Sequence, residues 1–573
     1  MITDHARITT AGLLDWWAHH FPDDIAHILP DGRDLRYVQW ARRSAEVAAA
    51  LHARGVAVGE CVGLAFPRAA IDEFAVLLTA LHRLAAVAVL LPADETGPGF
   101  GRLVAEGRVT RIVGPRAWTV SAPVSTVPVL AAEDLVADGE LPGHVVRPGD
   151  TATVVFTSGT TGEPKAVAVP HGDIMFGMAD RLPEFADGPG GRTLLHAFPL
   201  SVPVGQWAAL APLLAGLRVV TMARLDPGLF LELVDRHGVT DTAMVPATAA
   251  ALRDARPRPG TMRRVIVGSA RAPMPALRTL RALFPAAELV VDYSSTESGW
   301  AGASTVVGDG HRPGLVGAPN AGCAVRITDE HGAPLGPGET GVVELRLPPG
   351  IPVRHYPNDP AATAATFRGR WVRMADLGRL DDEGRLHLVA RTKDVVSVGG
   401  RKVSCPEVEA AFEAHPAIRE AAAFPVADPI LGEELVIALV ADRVVTEPEL
   451  RAHVVELLAP HKVPARVVIV DDLPRTRSGK VRKSDLPALL APAAREEGSI
   501  TGLLTRAVAD VLRLDDVGPD RTLADLGASS IQVIRVYRRL SDSLAADFDV
   551  TLLFEPVPLA TIADRLTDTI QAP

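Results

Sequence analysis

The sequence predicts a multidomain α/β protein: a large α/β body, a small α+β domain and a helical bundle. Three observations carry this. From Asp15 to about Thr221 helical periodicity alternates with short apolar runs, which argues for sheets covered by helices. From Gly314 to Val389 the pattern changes to short strands separated by Gly/Pro turns, and beyond Ser499 it is helical only. Taken in order, Val62–Phe66 and Val87–Leu91 read as buried strands. The apolar stretch Phe74–Ala93 is broken by His82 and Arg83, so it reads as a buried helix and a strand rather than a membrane span. Thr242–Val245, Arg264–Val267 and Leu289–Val291 read as strands of a second α/β subdomain, and Ala324–Thr328, Gly341–Leu347 and Leu386–Val389 as a β-rich subdomain. Val395–Val398 opens the small α+β domain, with the helix Pro406–Glu413 and the strands Glu434–Val440 and Ala465–Val470. Ala491–Glu497 (APAAREE) reads as a linker to three or four amphipathic helices. The expected division is a core over 1–392, a small domain over 393–490, a linker over 491–499 and a bundle over 500–573.

Composition limits the function classes. With 58 Lys+Arg against 69 Asp+Glu the chain is acidic, which argues against a nucleic-acid binder. Cys61, Cys323 and Cys405 are isolated, so neither a zinc site nor a disulfide framework is expected. The N-terminal MITDHARITT lacks a signal-peptide core. A cytoplasmic protein without a membrane segment is expected.

The strongest local signal is Val154–Lys165, VVFTSGTTGEPK. An apolar strand runs into Thr157, Ser158, Gly159, Thr160, Thr161 and Gly162, and Lys165 follows. Small residues let backbone N–H groups approach phosphate oxygens, hydroxyls add donors and the lysine adds charge. The spacing is not that of a Walker loop. This segment resembles the phosphate loop of the adenylate-forming superfamily, which includes acyl-CoA synthetases, luciferases and nonribosomal-peptide adenylation domains.

Further segments match that family in order. Tyr293–Glu297 (YSSTE) is similar to the family's aromatic-Gly-x-Thr-Glu motif. The resemblance implies that Tyr293 stacks near adenine, Thr296 contacts phosphate and Glu297 helps hold Mg²⁺. Trp371–Leu377 carries Asp376 at the ribose-binding aspartate, a sensible partner for a sugar diol. In Ala390–Glu409, Arg391 is implied as a second ribose contact, Lys393 as the hinge of a mobile small domain, and Gly399 and Gly400 as the lining of a thiol channel. Pro474–Lys483 places Lys480 at the catalytic lysine.

In the bundle, Asp525–Ile531 (DLGASSI) resembles a carrier-protein signature, with Ser530 as the 4′-phosphopantetheine acceptor in a four-helix carrier bundle. A serine at a helix start puts an attached phosphate beside the helix dipole. An N-cap serine is the competing structural reading. Ser529 replaces the usual Asp or His before the acceptor.

The resemblance implies an adenylate-forming acid–thiol ligase using ATP and Mg²⁺, with Lys165 and Lys480 as its key lysines. Its implied partners are a carboxylic acid, a phosphopantetheinyl transferase, and a condensation, ketosynthase or tailoring enzyme in trans. The acid pocket is expected around His196, Phe198, Val202, Pro203, Gly268 and Ser269. No acidic residue occurs from Pro199 to Val220, where α-amino-acid-activating relatives place an aspartate. A buried ammonium without a counter-charge is costly, so an aryl or acyl acid is favoured over an amino acid. Several residues depart from the family pattern: Ser294 for glycine, Met374 and Ala375 for Thr-Gly, and Ala390 for glycine. An acyl-CoA ligase with a non-carrier tail and a non-catalytic scaffold are the rival readings. His19–Asp24 (HHFPDD) mimics a condensation signature without its glycine and reads as a helix end.

Overall fold

The computed structural model describes residues 9–571 apart from 96, 121–125, 138, 140, 142, 159–163, 177–190, 225, 254, 258–259, 399–400, 429–431, 476–479, 491–498, 513, 515–516, 529 and 545. The chain forms two compact units. One is Met1–Thr392 with Arg475–Lys480; the other is Lys393–Pro474 with Val481–Pro573. Arg475–Lys480 groups with the large unit, and the helical bundle groups with the small domain.

The large unit holds two sheets. In the six-stranded sheet Cys61–Ala65 and Val87–Leu91 pair in parallel at the centre, and Val87–Leu91 passes to the hairpin Thr151–Ser158/Pro164–Pro170. All of Val87–Leu91 is buried, as expected for a parallel strand covered on both faces. The 14-stranded sheet contains the parallel run Thr193–His196, Asp241–Met244, Arg264–Val267 and Glu288–Tyr293. The β-rich segment is hydrogen-bonded into this sheet, because Leu315–Pro319 pairs with Ala303–Val306 on one side and Leu386–Arg391 on the other.

The helix Ile71–Arg83 and the strand Val87–Leu91 occupy the stretch Phe74–Ala93, and His82 is fully buried within it. HHFPDD is the end of the helix Thr10–His20. That helix packs by its aromatics. Trp17 stacks on Tyr37 at 5.0 Å, and the Trp17 indole N–H and Tyr37 O–H donate to the carbonyls of Leu213 and Pro212. Those carbonyls lie in the last turn of Pro203–Ala215, where the helix supplies no partner of its own.

In the small unit, Val395–Val398, Arg401–Ser404, Ile418–Asp428, Gly432–Ala441 and Arg466–Ile469 form a five-stranded sheet covered by Cys405–Glu413. The Ser404 hydroxyl caps that helix by accepting from the Glu407 N–H. The bundle has helices Ile500–Leu512, Ser530–Leu544 and Leu559–Gln571 around its own core, which includes Leu504, Val508, Val536, Leu540 and Leu566. A one-turn segment, Val550–Phe554, completes it.

Candidate active site

One corner of the site is set by strand register. The antiparallel strands Trp371–Leu380 and Leu386–Arg391 are joined by a tight turn, in which Asp381 accepts from the Arg385 N–H at 2.8 Å and Gly384 has φ +73°. The pairing places Asp376 opposite Arg391, after a bulge between Leu377 and Gly378. A bulge reverses which residues share a face and so re-aims a side chain. The Arg391 guanidinium lies 3.3 Å from the Asp376 carboxylate, and the Tyr293 hydroxyl donates to its other oxygen at 2.8 Å. Tyr293 ends its strand with the ring buried, and burial together with the Asp376 charge holds its hydroxyl protonated well above the usual phenol range. The result is a preformed carboxylate with fixed lone pairs, suited to a diol.

The residues after Tyr293 form a compact turn. The Ser295 hydroxyl accepts from the Glu297 and Ser298 N–H groups, and the Ser298 hydroxyl accepts from the Ser295 N–H. From beneath, the Arg354 guanidinium donates to the Thr296 carbonyl while paired with Asp173. Gly299 is required there: its φ is +55°, and a Cβ would lie 2.5 Å from the Arg354 side chain. Glu297 is held by the Tyr356 hydroxyl, which donates to Oε1 at 3.1 Å.

The hairpin Thr151–Ser158/Pro164–Pro170 brings Thr157 opposite Lys165. The Lys165 ammonium donates to Asp359 at 3.0 Å and stands 5.4 Å from the Tyr356 ring centroid. Asp359 also caps the helix Pro360–Thr366 by accepting from the Ala362 N–H at 2.8 Å. That hydrogen bond, with Lys165, holds its carboxyl below the usual range. Tyr356, Asp359, Arg354 and Asp173 were not singled out by sequence reasoning. The one local signal was Asp359-Pro360, which reads as a helix start.

Other expected site residues fall in different settings. His196 is buried with both ring nitrogens engaged: Nε2 pairs with the Thr221 hydroxyl at 3.0 Å, and Nδ1 accepts from the Phe198 N–H at 3.3 Å. Burial, then His27 and Arg68, push its pKa down to about 3. Phe198 is buried and stacks on the His196 ring at 6.2 Å. Val202 and Pro203 start the helix Pro203–Ala215, and Gly205 behind them permits close packing, since a Cβ would meet the Pro199 carbonyl at 1.9 Å. Gly268 follows the strand Arg264–Val267 beside Asp292, and Ser269 adopts φ +65°, a left-handed conformation rare for serine. Lys480 belongs to the segment that groups with the large unit. Gly159, Thr160, Thr161, Gly162, Gly399 and Gly400 lie outside the described residues, as do the side chains of Ser158, Lys393 and Ser530. Ser530 itself is the first residue of a 15-residue helix.

Among the described residues no group of three or more His, Cys, Asp or Glu forms a metal cage. Glu297 alone suits Mg²⁺, which is commonly held by one or two carboxylates together with substrate phosphates and water. Also among the described residues, no helix is long and apolar enough to cross a membrane.

Three family models match this chain: AMP-binding enzyme over residues 14–350, AMP-binding enzyme C-terminal domain over 407–480, and phosphopantetheine attachment site over 502–566. A feruloyl-CoA synthase of Amycolatopsis sp is 30% identical over 79% of this chain and 94% of its own length. A dimodular nonribosomal peptide synthase of Bacillus subtilis is 28% identical over 95% of this chain, which spans only 24% of that protein. Among solved structures, the o-succinylbenzoate CoA synthetase of Bacillus subtilis with its acyl-adenylate intermediate superposes with a TM-score of 0.70 at 25% identity, covering 85% of this chain and 99% of that one. The AMP-binding model alone covers more than half of the chain, and the chain therefore belongs to the AMP-binding enzymes, the adenylate-forming ligases, with a phosphopantetheine attachment domain over residues 502–566.

Proposed function

We propose that the protein activates a carboxylic acid with ATP and transfers the acyl group to a 4′-phosphopantetheine thiol on its own carrier domain. The observation that carries this reading is the Tyr293–Asp376–Arg391 corner, assembled from three strands of one sheet in a chain that also carries an attachment domain. Asp376 accepts the ribose hydroxyls and Arg391 holds its carboxylate in place. The substrate carboxylate attacks the α-phosphorus, forming an acyl–O–P bond as the bond to pyrophosphate breaks. Lys165 neutralises the departing phosphates, and Lys480 draws the carboxylate and α-phosphate together. Little covalent help is needed from the protein beyond positioning and charge.

Glu297 would hold Mg²⁺, which supplies charge neutralisation at the phosphate oxygens. A phosphopantetheine arm on Ser530 would supply the thiol that displaces AMP, and the helix start favours its phosphate. Lys393 and the glycines Gly399 and Gly400 are assigned to the hinge and thiol channel on family resemblance.

An aryl or acyl acid is the preferred substrate. The stretch Pro199–Val220 has no carboxylate to meet an ammonium. The feruloyl-CoA synthase and the o-succinylbenzoate synthetase carry aromatic acyl groups in their names. Likeness to the nonribosomal peptide synthase supports an amino acid as the second reading. A phosphopantetheinyl transferase and a downstream enzyme that accepts the acyl thioester are the proposed partners. The test is to incubate phosphopantetheinylated protein with ATP, Mg²⁺ and an acid library and measure intact mass. An acyl increment localised to Ser530 is expected. Transfer to free coenzyme A without any increment at Ser530 would mean that the bundle is not the acceptor.

A further inference from the structure

The lysine assigned to the phosphates is bound to a carboxylate in this structure. Asp359 is well placed to hold it. Its Oδ1 accepts from the Ala362 N–H at 2.8 Å and so anchors the carboxylate on the first turn of Pro360–Thr366. Its Oδ2 is turned to Lys165 at 3.0 Å. Tyr356, three residues earlier, forms a shelf for the ammonium with its ring and donates from its hydroxyl to Glu297. The partly exposed pair has side-chain exposures of 29% for Lys165 and 41% for Asp359, so solvent weakens it. A contact of that strength holds a flexible lysine in one place, yet yields to a ligand carrying several negative charges.

We propose that Asp359 is a positioning residue that parks the Lys165 ammonium beside Tyr356 until the β- and γ-phosphates of ATP displace its carboxylate, and recaptures it as pyrophosphate leaves. This rests on reading the corner as the ATP site. Lys165 exchanges one anionic partner for another, so its charge is met in both states. A lysine suits this better than an arginine, because its point charge needs no bidentate geometry and its stem swings freely.

The test is calorimetric binding of ATP, pyrophosphate and AMP to the full chain in Mg²⁺, comparing the wild type with Asp359→Asn. Asparagine keeps the helix cap and removes the charge. ATP and pyrophosphate are expected to bind two- to fivefold more tightly to the variant, about the worth of an exposed ion pair. AMP, lacking the β- and γ-phosphates, is expected to bind unchanged. In a Lys165→Ala background the same substitution is expected to change nothing, which separates the pair from any general effect on folding. Unchanged or weaker ATP binding by Asp359→Asn, or an equal shift for AMP, would overturn the proposal. A wild type that binds no Mg²⁺–ATP would overturn the ATP-site reading itself, and the proposal with it.

Discussion

The corners proposed to hold ribose and phosphates are built on opposite plans. At the first, Asp376 is held by the Tyr293 hydroxyl and by Arg391, the latter on the adjacent strand, whose register a tight turn and a bulge set. Nothing there needs to move before a diol binds. At the second, Lys165 and Glu297 are held by Asp359 and Tyr356, in contacts that occupy the groups a nucleotide and its metal need. A neutral sugar is recognised by direction, which rigid strands supply. A polyphosphate is recognised by charge, and charge left unpaired while waiting is unfavourable, so the protein pairs it provisionally.

The largest expected effect concerns the stability of the large unit that carries both corners. His27, His171 and His196 are buried in the large unit, with burial as the main cause that lowers their pKa values to about 4, 4 and 3, and His82 lies well below its ordinary value. The unfolded chain takes up protons near pH 6.5 while the native rings stay neutral, so stability is present above that pH and is lost as pH falls towards about 4. For the three rings with values this amounts to about 4 kcal/mol at pH 5.5. Chemical denaturation of the full chain at pH 7.5 and 5.5 should show the large-unit transition shifting by this order. A pH-independent midpoint would show that the rings are not held neutral.

Next in size is Lys480→Ala. With the acid identified by the mass experiment, pyrophosphate exchange should fall by roughly 100-fold or more, as for loss of a transition-state charge contact. Thiol transfer from preformed acyl-adenylate should change only a few-fold. Equal losses in both half-reactions would remove Lys480 from the adenylation step and break the contrast between built-in and arriving groups.

The smallest effects sharpen the comparison most. Tyr293→Phe removes one hydrogen bond from Asp376 and should raise the KM for ATP about fivefold, near 1 kcal/mol, with the Mg²⁺ requirement unchanged. Tyr356→Phe keeps the ring under Lys165 but releases Glu297, and should lower the Mg²⁺ concentration for half-maximal exchange by a similar factor. Steady-state titrations of ATP and Mg²⁺ separate the two. Matching responses would mean that the corners are not independent.

Much of this was legible in the linear chain. Thr157, Tyr293, Glu297, Asp376, Arg391 and Lys480 belong to short motifs whose order carries the family. Strands such as Val87–Leu91 follow from uninterrupted apolar runs between turn residues. The partners of His196 were not legible locally: the Thr221 hydroxyl and the Phe198 N–H engage both of its ring nitrogens.

The sequence by itself determined the division into adenylate-forming and carrier parts, the family and most of the charged groups of the site, because these rest on local motifs and periodicity. Only the tertiary structure decided which of those charges face one another. Lys165 and Asp359 are 194 residues apart, and Tyr356 and Glu297 are 59 apart. No local propensity encodes such pairs. They arise where separate strands and a helix start are brought to one rim, and there electrostatics pairs whatever charges the packing leaves within reach.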